Sequence, residues 1–417
     1  MTAEPQRVVR TNLWSSPATS YYLLVASTSI LLLVGLAVVL STSSISSISQ
    51  KGHNPWTLFL VQLAALVVGL GALVVGSRLS LMGWKILAPW VFYGAIALLV
   101  IVMTSGFAVG GNRNWFKLGS LTVQPSEMAK LGLALYLGVV LATFRKHLTT
   151  FKRIMVPGGV GAIVVLGLVL AGKDMGTAIV LAMLVAAAFW VAGLPFRFFA
   201  VGGIAAAAAM TVLVFAASSR VKRILTWASP NCDPTADCYQ QTHGTWALAS
   251  GGLWGVGPGM SREKWGYLPA ADNDFIFAIL GEEFGLIGTL LVLIAFTMMV
   301  IAVSRIVRRH RDPFAQIAAA AIGAWIIGQA FVNIAVVLEL LPVTGIPLPL
   351  VSSGGSSLVA TLAAIGALMA FARSEPGAKQ AFSARPSVMR RSIAVMAKGR
   401  VAKASVADGR VARGTRG

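Results

Sequence analysis

Four carboxylates crowd one short stretch of a chain that holds few. Asp272, Asp274, Glu282 and Glu283 lie within Trp265–Gly285, W-G-Y-L-P-A-A-D-N-D-F-I-F-A-I-L-G-E-E-F-G, and the 417 residues contain only 14 acids in all. A polar loop runs here into a long apolar segment. An ionisable group at such a boundary is costly to keep, so it marks chemistry by default. Partly desolvated, Asp274 could have its pKa raised toward that of a general base. An aspartate just before F-I-F-A is also a good helix N-cap. The residues alone leave these two readings level, and the two are compatible. Asp272 faces away from Asp274 in an extended or a helical loop; it helps hold a metal or is simply solvated, and solvation is the plainer reading. Glu282 and Glu283 sit two turns into the apolar segment, where they bind backbone or cations across a bundle.

Further groups stand out by type and spacing. Glu127 and Lys130 are three residues apart inside an apolar stretch. Neither survives alone in lipid, so a mutual ion pair facing a polar cavity is expected, structural first. Ser352, Gly354, Gly355 and Ser356 open another apolar segment. Glycines there expose backbone N–H groups that suit an anion, or else permit close helix packing. Cys232 and Cys238 are separated by a spacing that fits no common zinc pattern; an oxidising exterior permits a small disulfide loop. His147 and His243 stand without a cluster and are assigned no metal.

The elements that must position these residues are membrane helices. The chain is 57% hydrophobic, 12% charged, and its mean hydropathy is +0.79. Apolar runs of about 20 residues recur throughout, each long enough to cross a hydrocarbon core. Composition therefore excludes a soluble globular protein, and the run lengths exclude a transmembrane β-barrel. The net charge of +20 is read as Lys and Arg gathered in cytoplasmic loops, not as a nucleic-acid surface. The first apolar run has no small-residue cleavage site after it, so no cleavable signal peptide is expected.

The expected fold is all-α, with ten spans: Tyr21–Leu40, Pro55–Val75, Trp84–Thr104, Pro125–Phe144, Ile154–Ala171, Met175–Ala192, Phe198–Ala217, Asp274–Val303, Phe314–Leu338 and Gly354–Ala372. Residues 1–20 form a tail, 21–373 the membrane domain, and 374–417 a basic tail expected to be disordered. Ten spans put both termini on one side. The basic connectors Arg145–Arg153 and Arg305–Arg311 and the C-terminal tail fall on that side, which the positive-inside rule makes cytoplasmic. The opposite, outer face then collects Ser105–Gln124, Gly172–Asp174, the large loop 218–273 and Glu339–Ser353.

Arg113, Lys117 and Lys264 are cations on that outer face, where the positive-inside rule disfavours them. A phosphate-bearing substrate or anionic headgroups would account for them. Arg220, Lys222 and Arg223 leave the seventh span on the same face and invite the same reading. Trp227, Trp246, Trp254 and Trp265 mark the large loop as interfacial.

Four stretches together resemble one family. G-N-R-N-W-F-K-L-G-S-L-T-V-Q-P-S-E-M-A-K (Gly111–Lys130), D-M-G-T (Asp174–Thr177), L-P-A-A-D-N-D-F-I-F-A-I-L-G-E-E-F-G and L-P-V-T-G-I-P-L-P-L-V-S-S-G-G-S-S (Leu341–Ser357) are similar, in order, to the signatures of the SEDS family (shape, elongation, division and sporulation). The resemblance covers roughly residues 20 to 373, and it looks closer to the division branch than to the elongation branch. Ala270, Asp272, Asn114 and Ser353 depart from the family's Glu, His, second Arg and Tyr.

The resemblance implies a multi-pass bacterial cell-membrane peptidoglycan glycosyltransferase, active at the outer leaflet of the septum, that polymerises lipid II and releases undecaprenyl pyrophosphate. It implies Asp274 as the catalytic residue. The substrate-binding set expected with it is Arg113, Lys117, Gln124, Ser126, Glu127, Lys130, Lys264, Ser352, Gly354, Gly355 and Ser356. A divalent ion, Mg or Mn, at Asp274 is a further expectation; an organic cofactor is not. A class B penicillin-binding protein is the expected partner, with other division proteins or membrane lipid reached through the basic tail. A lipid II transporter is the alternative from another class, though no internal repeat is visible and the polar motifs cluster on one face. A non-enzymatic division scaffold is the third reading.

Overall fold

A computed structural model describes residues 16–49, 54–109, 112–118, 121–144, 155–215, 218–229, 233, 236 and 238–383. The connector Arg145–Arg153, Cys232 and the tail from residue 384 lie outside them, as does most of the first tail. The helices are α1 (Thr19–Ser49), α2 (Thr57–Arg78), α3 (Leu81–Ser105), α4 (Pro125–Phe144), α5 (Val160–Ala171), α6 (Met175–Ala192), α7 (Phe196–Phe215), α8 (Ser218–Ala228), α9 (Tyr239–Gly251), α10 (Ile276–Arg309), α11 (Pro313–Val337), α12 (Gly355–Arg373) and α13 (Ala378–Ser383).

Nine described helices are long and apolar enough to span a membrane: α1–α4, α6, α7 and α10–α12. Where the fifth span is expected, the apolar helix is shorter than a span. The apolar stretch Pro157–Ala171 reaches about 22 Å at 1.5 Å per residue, against about 30 Å of hydrocarbon. A π-helical turn, Met155–Gly159, replaces its first α-helical turn. The all-α expectation also needs a correction. The loop after α3 folds into a three-stranded antiparallel sheet, β1 (Phe107–Val109), β2 (Asn112–Leu118) and β3 (Leu121–Val123), with Ala108 opposite Arg113 and Lys117 opposite Thr122.

Local chemistry fixes the helix ends. Asp174 caps α6 and Asp312 caps α11, each carboxylate accepting a backbone N–H of the first turn, with Pro313 at the first helical position of α11. The core is built on α4, α11 and α12, the most deeply buried spans. α2 lies close along α12 because small residues meet there: Gly366 leaves room for the Leu73 backbone and Gly69 for Leu362. Peripheral α7 buries none of its residues.

α10 is broken at Gly285, whose φ of 64° and ψ of −161° suit glycine. The break frees backbone groups, and the crossing segment after α9 satisfies them. Val256 and Gly257 donate to the carbonyls of Glu282 and Glu283 at 2.9 and 3.1 Å, and Leu286 donates to Gly252 at 2.9 Å. At the opposite end of the bundle Lys85 pairs with Asp312 at 2.6 Å.

Candidate active site

Backbone carbonyls of three successive residues in the turn before α10 are gripped from other elements. Ser353 N–H donates to Asp272 O at 3.0 Å, Ser352 Oγ to Asn273 O at 2.7 Å, and Asn333 Nδ2 to Asp274 O at 2.7 Å. Asn333, from α11, also donates to Ile346 O at 2.7 Å, so one side chain joins the turn to the loop before α12. Asp274 is thereby fixed through its main chain while its carboxylate stays available. Oδ1 is buried without a hydrogen-bond partner, and Oδ2 lies 3.8 Å from where a Cβ on Gly345 would stand.

Electrostatics keep that carboxylate basic. Burial raises its pKa to about 6, the charge of Asp272 adds to the rise, and Arg223 on α8 pulls against it. Asp272 is itself raised by burial. Asp274 is not the cap of α10, which has no side-chain cap, so the N-cap alternative drops out.

Next to this turn is a cavity of about 160 Å³, lined by Asn114 and Trp115 from β2, Asp174 at the start of α6 and Thr177 within it, Asn273 before α10, and Gly345, Pro347, Ser353 and Ser356 before and into α12. The four loops that the sequence places on one face thus meet at one cavity. Its wall carries Glu127 and Lys130, a buried ion pair at 2.8 Å. Lys130 also donates to Gln329 Oε1 at 2.9 Å, and Gln329 Nε2 donates to Pro347 O at 3.0 Å. Glu127 Oε2 is buried without a partner. Opposite, Asp174 accepts from Thr177 N–H at 2.9 Å, from Thr177 Oγ1 at 2.8 Å and from Gln124 Nε2 at 2.9 Å. Burial raises the pKa of Asp174, while the Thr177 bonds and then Lys130 lower it.

The expected residues therefore divide. Gln124, Glu127, Lys130, Gly354 and Ser356 line the cavity; Asp274 does not, but its neighbour Asn273 does, as does Gly345 beside its Oδ2. Gly354 N–H donates to Gln62 Oε1 at 3.1 Å, and Ser356 Oγ accepts from Gln124 N–H at 3.3 Å. Lys117 is exposed on β2, and the Arg113 side chain lies outside the described part. Four other expected residues are not among those lining the cavity. Lys264 is buried in an ion pair with Glu283 at 2.7 Å and bonded to Ser41 Oγ at 2.6 Å, which gives it a structural partner. Ser352 bridges Leu348 N–H and Asn273 O, a positioning task. Gly355 packs against Ala65 of α2, and Ser126 is buried off the cavity. Glu282 accepts from Ser261 Oγ and Arg262 N–H, as a carboxylate at that depth requires. Cys238 is disulfide-bonded. Sequence reasoning missed Asn333, Gln329 and Gln62; each is a lone amide in an apolar run, and that is the signal that could have found them.

Comparison with known proteins shows the family. The family model described as a cell cycle protein, joining FtsW, RodA and SpoVE, matches residues 21–376. The chain is 38% identical over 370 residues to a probable peptidoglycan glycosyltransferase FtsW of Mycobacterium tuberculosis, covering 88% of this chain and 70% of that one. It is 33% identical over 353 residues to the stage V sporulation protein E of Bacillus subtilis, covering 84% and 96%. Among solved structures, a chain from a study of how a peptidoglycan synthase complex coordinates polymerization and crosslinking superposes with a TM-score of 0.68 at 27% identity, covering 84% of this chain and 96% of that one. The rod shape determining protein RodA of Thermus thermophilus superposes at 0.62 with 26% identity, covering 84% and 96%. The chain belongs to the FtsW, RodA and SpoVE family of cell cycle proteins.

Proposed function

We propose that this multi-pass membrane protein is a peptidoglycan glycosyltransferase that polymerises lipid II at the outer leaflet during septal wall synthesis. The observation that carries the reading is Asp274: a carboxylate fixed by its backbone, with one oxygen buried and unpartnered and a pKa of about 6, beside a polar cavity. Asp274 takes the proton from the acceptor's sugar hydroxyl. The oxygen so freed forms a bond to the anomeric carbon of the growing chain. The bond from that carbon to pyrophosphate breaks, and undecaprenyl pyrophosphate leaves with the electron pair. Arg113, Lys117 and Arg223, with Lys130 in the cavity wall, supply positive charge toward the pyrophosphate.

A metal fits in a limited way. Among the described residues no three His, Cys, Asp or Glu side chains group into a cage. Mg²⁺ typically takes one or two carboxylates and completes its shell with phosphate oxygens and water, and Asp274 with Asp272 offers that much. Bound there, the ion would neutralise pyrophosphate charge.

The polymerase reading is favoured over a transporter because the lining of the cavity runs from the loops into the bundle only as far as Lys130, Val180 and Gln329, and Trp325, one turn further along α11, is fully buried. A class B penicillin-binding protein as the cross-linking partner, cytoplasmic termini and recruitment through the basic tail complete the proposal. The test is lipid II polymerisation by the purified protein with and without that partner. Glycan strands support the reading, whereas lipid II translocation in vesicles without strand formation would replace it by the transporter.

A further inference from the structure

A second cavity, of about 1460 Å³, opens between α1, α2 and α12, with Phe382 of α13 at its edge. It sits at the far end of the bundle from Asp274. Ser356 lines the first cavity and Arg373 lines this one, and the stretch of α12 between them is about 25 Å long.

The walls form two zones. Leu32, Leu70 and Leu73 line the part within the bundle, and Arg78 and Arg373 line the rim, at the last turns of α2 and α12. Arg373 Nη1 donates to Ser77 O at 3.0 Å, which ties the end of α12 to the end of α2 and gathers both guanidinium groups at one rim. Among the described residues no Asp or Glu lines the cavity. Thr28 is in the wall, 3% exposed, and its hydroxyl has no hydrogen-bond partner. Leu70 and Val74, both in its wall, are 40% and 47% exposed, so the groove is open and not an enclosed cavity.

An apolar floor under an acid-free basic rim matches an amphiphile with an anionic head. Basic pockets between transmembrane helices on the cytoplasmic side take anionic headgroups. A partner's transmembrane helix fits less well, since it would leave two guanidinium groups to be matched by an acid it would have to supply. We propose that this groove binds an anionic glycerophospholipid, with its phosphate at Arg78 and Arg373 and its acyl chains along α1 and α2. The proposal does not depend on the chemistry assigned to Asp274.

The test is native mass spectrometry of the full-length protein with phosphatidylglycerol or phosphatidylcholine, and inorganic phosphate alone as a third arm. The wild type is expected to retain phosphatidylglycerol roughly tenfold over phosphatidylcholine and to ignore free phosphate. R78Q/R373Q loses that preference and R78K/R373K keeps most of it. Val25→Trp, which narrows the groove and spares the rim, lowers retention of phosphatidylglycerol even if R78Q/R373Q fails to fold. Equal retention of the two lipids overturns the proposal. So does a preference unchanged in R78Q/R373Q, retention of phosphatidylglycerol unchanged in Val25→Trp, or a response to phosphate alone.

Discussion

Asn333 holds Asp274 by its main chain and not by its carboxylate: Nδ2 lies 2.7 Å from Asp274 O and 2.7 Å from Ile346 O. A residue that tethers the backbone sets where the carboxylate stands without competing for it. Asn333→Ala is therefore expected to lower kcat for lipid II polymerisation by roughly 10- to 100-fold, because small misplacements of a base are costly. KM should change little. A rise in KM with kcat intact would assign Asn333 to substrate binding instead.

The pH profile of the reaction follows from the same carboxylate. Asp274 acts as a base only when ionised, and its pKa stands near 6. The rate should rise through about pH 6 and level off above it. Asp272 contributes to the rise in that pKa, so Asp272→Asn should move the rising limb to lower pH. A limb that stays in place would remove Asp272 from the electrostatics of the site.

Stability should show the reverse face of this arrangement. The folded-state pKa is raised from 3.8 to about 6, so the fold disfavours the charged form. The penalty is full above the folded value and absent below about 4, where both states are protonated. Asp274→Asn is expected to stabilise the protein by on the order of 1–3 kcal/mol at pH 7.5 and by nothing near pH 3.5. Thermal unfolding at the two pH values measures the difference.

Lys264 and Glu283 make a prediction about folding, not catalysis. Both side chains are at most 2% exposed and their charges meet at 2.7 Å. Lys264→Ala leaves Glu283 as an uncompensated buried charge and should cost about 3–5 kcal/mol. The double substitution Lys264→Met with Glu283→Leu should recover most of that loss. A Lys264→Ala protein of full stability that has lost only lipid II affinity would restore the substrate role the sequence suggested.

That pair shows why part of the site was legible in the sequence and part was not. Asp274, Glu127 and Lys130 announce themselves as charges inside apolar stretches, and the physical cost of keeping them there points to a site. Lys264 announces itself the same way, but its partner is on the far side of the turn before α10, and no periodicity brings a loop residue to Glu283. The clamp residues Asn333 and Ser352 are neutral and short, so composition hides them until the backbone they hold is seen. The spans follow from hydropathy because each apolar run must satisfy its own backbone. The small sheet does not, since β1 and β3 are three residues each in a loop without sustained alternation. The break at Gly285 turns on a crossing segment that meets it only in three dimensions.

The central claim rests on one carboxylate, and one comparison tests it most directly: lipid II polymerisation by the wild type and by Asp274→Asn, each assayed with the cross-linking partner present and checked for folding by thermal unfolding. Asp274→Asn keeps the shape and the Asn333 tether but cannot accept a proton. The account predicts a folded protein whose rate falls by about 100-fold or more, in the range expected for loss of a general base. A folded Asp274→Asn that builds glycan strands at the wild-type rate would contradict it.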